Sequence, residues 1–503
     1  MEKYKQIIIF CVISMLVQDL FSQSNSQNYI VSTTFLDEAG TQNLDVINYY
    51  DGLGRETQTI YKNVTCTQGD LVTCKDYDGM GRVYREWMPL PFSNNNGNFI
   101  QSGAWTDRDI DEPYTKVIYE PSSLSRIIET WGVGLEWHKR KGIEKKYLFN
   151  DNSALLSAVC FRVENNRLKK TGKYKWHDLY VEYTNNEDGH EMYIFTDKLG
   201  NLVLERRVNG DEYIDTYYVY DEHDKLRFVL PPLAADELTS ATDGFFEMKN
   251  DNVLGKYAYV YKYDSRNRCN YKKLPGCAEI NMTYDIHGNL IFSDNGELRK
   301  KDLVEFYRYD KYNRIIMRGV ISAPNFDWKT NSYQGTYEIY NGNSRCYGYS
   351  NSTGLDIATK DIHEVYYYDD YSFLNLFEEY IDSLTYKPRE GYGMQYVDEQ
   401  VAHLSSNGLQ TGSLKKIIGD DNKLFINASY YDNKRRLVQS RTNNYMGGYD
   451  CYYYQYDYVG NVLRKIHSHN DPTNTVFGYE ELYTYSYDAG KRLIECKHKL
   501  KSG

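Results

Sequence analysis

The chain has 503 residues, a formal net charge of −11, a mean hydropathy of −0.69, and 53 tyrosines against 18 phenylalanines. So acidic a chain is a poor match for nucleic acid or anionic lipid, whose phosphates draw basic surfaces. Low hydropathy at this length argues against one deep globular core. It suits a thin sheet exposed on two sides, with tyrosines on strands that have one packed and one polar face.

In chain order, residues 1–22 have the layout of a secretory signal peptide. Lys3 and Lys5 precede an apolar run from Ile7 to Val17, and Ser22 offers a small residue for cleavage before Gln23. The run is too short to span a bilayer. Cys11 lies inside it after bulky Phe10, which does not fit a lipoprotein signal. No later segment is apolar enough to cross, so an exported chain, secreted or at the cell surface, without a transmembrane anchor is expected.

Residues 23–92 form an amino-terminal segment closing at Pro89-Leu-Pro91, and residues 93–215 a divergent region holding four of the six tryptophans (Trp105, Trp131, Trp137 and Trp176). Residues 216–320 are a dense block of repeats. Residues 321–425 are irregular or degenerate, and 426–503 form a final repeat block. Strand-like stretches such as Leu179 to Tyr183 persist in the irregular zones. Helix is scarce, with Leu233 to Leu238 the best short candidate.

What repeats is a six-residue phrase: Tyr-Asp, three residues, then Arg or Asn. It occurs as Tyr50-Asp51 with Arg55, Tyr77-Asp78 with Arg82, Tyr263-Asp264 with Arg268 and Tyr284-Asp285 with Asn289. It returns as Tyr309-Asp310 with Arg314, Tyr431-Asp432 with Arg436, Tyr456-Asp457 with Asn461 and Tyr487-Asp488 with Arg492. Tandem copies lie 21 to 31 residues apart, room for two strands and their connections, so the unit is a β-hairpin. Three residues after the Asp stand Gly54, Gly81, Asn267, Gly288, Asn313 and Gly460, types that tolerate positive φ; Arg435 and Lys491 are the exceptions. An Asp opening a turn can accept backbone N–H groups two residues on, so Tyr-Asp-x-x-Gly reads as strand end, type I turn and left-handed residue. Alternation such as Tyr257, Tyr259, Tyr261 and Tyr263 marks the strand leading in. Degenerate copies stand at Asp197 to Asn201, at Tyr220-Asp221 with Lys225, and at Tyr368-Asp369.

These phrases resemble the Rhs/YD-repeat family, which includes bacterial polymorphic toxins and the animal teneurins. The flanks Leu226-Arg-Phe-Val-Leu-Pro-Pro232, Lys273-Leu-Pro-Gly276, Leu437 to Tyr449 and Tyr119 to Arg126 are similar to a branch common in Bacteroidetes-type genomes. The resemblance runs from about Asn28 to the carboxy terminus. It implies an all-β fold of repeated hairpins (YD repeats) winding into an open or partial Rhs-like β-shell. It further implies a non-enzymatic wall that encloses or delivers a toxin or other effector. A junction of the Asp-Pro-x-Gly type marks the end of the shell in toxin members. Here the only Asp-Pro, Asp471-Pro472, is followed by Thr-Asn, so the sequence reads as an amino-terminal portion lacking that junction and toxin. The partner implied is a downstream Rhs core, toxin segment or cargo protein.

Candidate chemistry is sparse. The sequence holds no HExxH, GxSxG, phosphate loop or dinucleotide fingerprint, and no cofactor is expected. Cys66 with Cys74 and Cys269 with Cys277 are close enough to be hairpin disulfides or unpaired core residues, and no CxxC spacing suggests zinc. His467 and His469 share one strand face, as a two-residue metal claw requires, but a lone pair of this kind is a weak signal. Glu136 and His138 are the neighbouring ionisable groups to test for an enzyme. An adhesin is the alternative to the shell, binding glycan or protein through exposed tyrosines such as Tyr259 and Tyr261.

Overall fold

The computed structural model describes residues 27–36, 43–65, 67–101, 111–139, 142–249, 251–322, 337–352, 357–398, 403–404, 406–417, 419–472, 478–488 and 490–502. The signal-peptide reading, Cys66 and Trp105 therefore lie outside the described residues. Twenty-seven strands form one antiparallel sheet. They pair in chain order, each with the main-sheet strand before it and the one after, from Asn28–Phe35 through to Leu493–Ser502. A meander of this kind needs only local turns, which is why a hairpin phrase suffices to propagate it. Among the described residues the first strand pairs only with Asn43–Tyr50 and the last only with Tyr479–Tyr487. The sheet is all-β, and it does not close into a barrel.

The irregular zones are not breaks in this sheet. Strands of both zones belong to it, and the extra residues fold back as pads over one face. In the first third, Phe92, Phe99 and Ile100 pack on a core of Ile47, Tyr49, Ile60, Val72 and Trp87. In the middle third, Ala158, Phe161 and Leu168 join the helix Pro232–Ser240, whose Ala234, Ala235 and Leu238 cover Phe195, Leu204, Tyr217 and Phe228. That helix stands where the sequence placed one. In the last third, Cys346, Tyr349, Phe373, Phe377 and Leu384 cover Phe306, Val365, Leu414, Ile426 and Tyr430. Burial alternates along the strands, as at Asn43–Tyr50, so one face is packed and the other left polar.

Each pad is also tied down by a polar side chain of the sheet that meets pad backbone. The Gln58 side chain donates to Ile100 O and accepts from Ile100 N. Arg206, held bidentately by Asp215 at 2.8 and 2.7 Å, donates to the carbonyls of Ala154, Leu155 and Ser157. Gln439 and Arg441 reach Lys387 and Ser383 in the same way. Buried backbone off the sheet has no ladder partner, so these contacts remove an unsatisfied-group cost of about 1–3 kcal/mol each.

Candidate functional site, a clasped border of turns

Alternate turns of a meander fall on the same border of the sheet, and every Tyr-Asp phrase occupies the same one. At the first, Asp51 N donates to Arg55 O (2.9 Å) and Gly54 N to Asp51 O (3.1 Å). The carboxylate then accepts twice through Oδ1, from Leu53 N at 2.8 Å and Arg55 N at 2.9 Å, and through Oδ2 from Arg55 Nε at 2.7 Å. The same set recurs at Asp78, Asp264, Asp310 and Asp432. Asp488 keeps the contacts to Arg492. At Asp285 and Asp457 the amide of Asn289 or Asn461 replaces the guanidinium. In all eight the fourth turn residue has φ between 60° and 101°, including Arg435 and Lys491, the two that break the Gly/Asn rule. The backbone N–H of Arg55, opposed by burial and helped by the guanidinium, holds the Asp51 carboxyl below the usual carboxylate range; Arg82 does the same for Asp78.

The tyrosine and the basic residue act between hairpins, which the sequence does not reveal. Where a phrase follows an intact copy, its Tyr hydroxyl donates to the carbonyl just after the basic or Asn position of that copy. Tyr77 reaches Glu56 O at 2.7 Å, Tyr284 reaches Cys269 O at 2.9 Å, Tyr456 reaches Leu437 O at 2.8 Å and Tyr487 reaches Val462 O at 3.0 Å. The guanidinium of the preceding phrase lies over that same ring: Arg55 over Tyr77 at 4.6 Å, Arg268 over Tyr284 at 4.9 Å and Arg436 over Tyr456 at 4.7 Å. Arg268 and Arg436 also donate to the next aspartate's carbonyl, Asp285 O at 2.7 Å and Asp457 O at 2.9 Å. Aspartate holds arginine, and arginine with tyrosine holds the next hairpin.

Degenerate copies keep the clasp by substitution. Asp197 makes the full turn with Asn201. At Asp221 the partner is Arg227, not Lys225 (3.3 Å to Oδ2). Asp369 has lost its own basic residue and is held bidentately by Arg314 of the preceding hairpin at 2.9 and 2.7 Å. Glu120 was not recognised as a copy because its turn is two residues longer. Arg126 grips it at 2.9 and 2.7 Å, and that side chain, then Ser122, brings its carboxyl down to about 2.

Other candidates are placed as follows. Cys269 and Cys277 are free thiols, so that hairpin disulfide is not formed; Cys269 opens the strand Cys269–Lys273 beside one border, and Cys277 lies in the turn at the other. Cys74 is free and buried between Gln58 and Trp87, and burial, with the charge of Asp76, pushes its thiol up to about 12. The nitrogens of the two histidines face carboxylates. His467 Nε2 and His469 Nδ1 both meet Asp450 Oδ1, at 3.1 and 2.7 Å, and His467 Nδ1 meets Glu481 Oε2 at 3.0 Å. No group of three or more His, Cys, Asp or Glu among the described residues is arranged to hold a metal ion. Glu136 is exposed on the short helix Leu135–Lys139, and the His138 side chain lies outside the described residues. Tyr259 and Tyr261 are half-buried inside the sheet, opposite Val229 and Lys272. A cavity of about 620 Å³ is lined by Val46, Thr59, Tyr61, Lys75, Glu86 and Trp87. No helix among the described residues is long and apolar enough to cross a membrane.

A family profile described as a domain of unknown function, DUF6443, matches residues 22–149, which include the clasped turns at Asp51, Asp78 and Glu120. No curated protein matches the chain. Among solved structures the chain is similar to TcdB2-TccC3-TEV, with 12% identity over 94% of this chain and 21% of that one, at a TM-score of 0.44. Similarity to TcdB2-TccC3 without its hypervariable C-terminal region has 13% identity, the same two coverages and a TM-score of 0.43. The Photorhabdus luminescens Tc holotoxin pore aligns over 94% of this chain and 26% of that one, with 12% identity and a TM-score of 0.35. The chain thus spans about a fifth to a quarter of the length of these solved chains.

Proposed function

We propose that this protein is an exported, non-enzymatic Rhs-like scaffold that forms part of the wall of a shell around a toxin or other effector. The observation that carries this reading is a contact across 428 positions: Arg492 Nη2 of the last clasped turn donates to the carbonyl of Val64, in the turn after the third strand, at 3.4 Å. The sheet curls until its end meets its beginning, as a wound wall does and a flat array does not. The clasps stiffen that wall, because each hairpin is fixed to its neighbour by side chains as well as by its ladder. The resemblance of the phrases to Rhs/YD repeats supports the cargo role.

The test is electron microscopy of the secreted chain, alone and with the product of the adjacent reading frame, combined with protease treatment of any cargo. A hollow particle that shields the neighbour's product from protease is the expected result. A flat sheet that leaves that product open to cleavage overturns the shell.

A further inference from the structure

We infer a carbohydrate-binding platform at Trp176, separate from the clasped turns and independent of the shell reading. Three rings form a continuous cluster, one pair stacked and the other tilted. His177 lies between Phe149, at 4.6 Å between ring centroids and 28° between planes, and Trp176, at 4.1 Å and 46°. Tyr180 flanks Phe149 at 5.4 Å. The apolar rings face solvent: Phe149 is 45% exposed, Trp176 67% and Tyr180 50%.

Packing of this kind normally hides aromatic surface, so the exposure calls for a cause. The turn carrying Trp176 is pinned from below by Asn150, a fully buried side chain. Its amide nitrogen donates to Lys175 O at 2.8 Å and its amide oxygen accepts from Leu179 N at 2.7 Å. Its backbone N–H donates to Leu179 O at 3.1 Å and its carbonyl accepts from His177 N at 3.2 Å. His177 is held at φ 64°, a left-handed conformation that non-glycine residues adopt at a cost. The outcome is a rigid turn that holds an indole outward with an imidazole braced behind it. Little conformational entropy remains to be lost when a ligand docks.

Size and polarity decide what fits. Those exposures on side chains of about 150–250 Å² each leave on the order of 300 Å² of aromatic surface. A stable protein partner needs roughly 800 Å² per side. One or two pyranose rings do not. The rim is polar, with exposed Lys175 and the Lys198–Asp178 ion pair at 3.4 Å beside the stack. A pyranose with equatorial hydroxyls has the matching form: an apolar C–H face for the indole and a hydroxyl rim for the carboxylate and ammonium groups. The aromatic surface is thus supplied by the divergent Trp-rich region, not by Tyr259 and Tyr261.

Calorimetric titration of the intact chain with β-1,4-linked hexasaccharides of glucose and of N-acetylglucosamine tests this. At least one should bind, and Trp176→Ala should weaken binding at least about tenfold, with Trp176→Phe recovering part of it. Trp137→Ala, at an exposed tryptophan outside the stack, should leave binding unchanged. Circular dichroism confirms that each variant keeps its sheet. Failure of both sugars to bind, or binding indifferent to Trp176→Ala, overturns the platform. Self-association in sedimentation that Trp176→Ala abolishes overturns it too, in favour of a protein contact.

Discussion

The two turn-bearing borders of the sheet are built by different rules. On one, an acidic residue closes nearly every turn and, where its partner is an arginine, passes that arginine to the next hairpin. On the other, the closing groups are mixed: Asn186 accepts from the N–H of Asp188 and His190, and Asn444 from those of Met446 and Gly448, while Asp294 is held by Arg299 at 3.0 and 2.8 Å and Asp70 accepts from Asn63 N. No clasp of the Tyr–Arg kind joins those turns among the contacts described. That second border carries long connections over 93–113, 231–258 and 323–361, and the clasped border over 150–179 and 370–405. The difference shows one border fixing the register between neighbouring hairpins, while both accept insertions. A turn needs only its own residues, but a clasp needs its neighbour at a set distance.

Acid should separate the borders most strongly. Asp51 and Asp78 are held low by backbone N–H groups, and Asp369 by the Arg314 guanidinium; Arg126 brings Glu120 to about 2. A depressed carboxyl contributes stability that is complete above its unfolded value, about 4, and lost as pH falls through its folded value. Between about pH 4 and 2, amides of the clasped border should therefore lose hydrogen-exchange protection before those of the Asn turns, which do not titrate. Simultaneous loss at both borders would end the comparison.

Single substitutions should show the same asymmetry on a smaller scale. Asp432→Ala removes an acceptor of two backbone N–H groups and leaves Arg436 without its carboxylate, and should cost about 2–3 kcal/mol locally. Asn444→Ala removes three hydrogen bonds, one of them to Asn470 O, without stranding a charge, at about 1 kcal/mol. Exchange at the Arg436 and Gly448 amides measures both, and equal losses would mean that the arginine adds nothing. The smallest effect is expected of Tyr456→Phe. It keeps the ring beneath Arg436 and loses only the bond to Leu437 O, at about 0.5–1.5 kcal/mol, read as faster exchange in the Tyr449–Tyr456 strand.

Much of this was readable beforehand. The eight phrases gave eight turns with the expected positive φ, and Leu233 to Leu238 gave its helix. Tyr119 to Arg126 stands out in the sequence as a flank and not as a copy of the phrase, because a turn two residues longer breaks the spacing while preserving the chemistry. The sequence left Cys269 and Cys277 either bridged or unpaired, because eight residues of separation say nothing of which end of a strand each occupies; they are free thiols. The Trp176 stack was invisible for a related reason: Phe149 and His177 are brought together by an excursion between two strands.

By itself the sequence determined every contact confined to a turn, since an aspartate and the groups it caps lie within four residues and no other part of the chain has to be in place. Tertiary structure alone decided which tyrosine sits beneath which arginine, which segments fold back as pads, and that Arg492 returns to Val64. Those partners stand tens to hundreds of residues apart. Only the accumulated twist and register of the intervening strands set the distance between them.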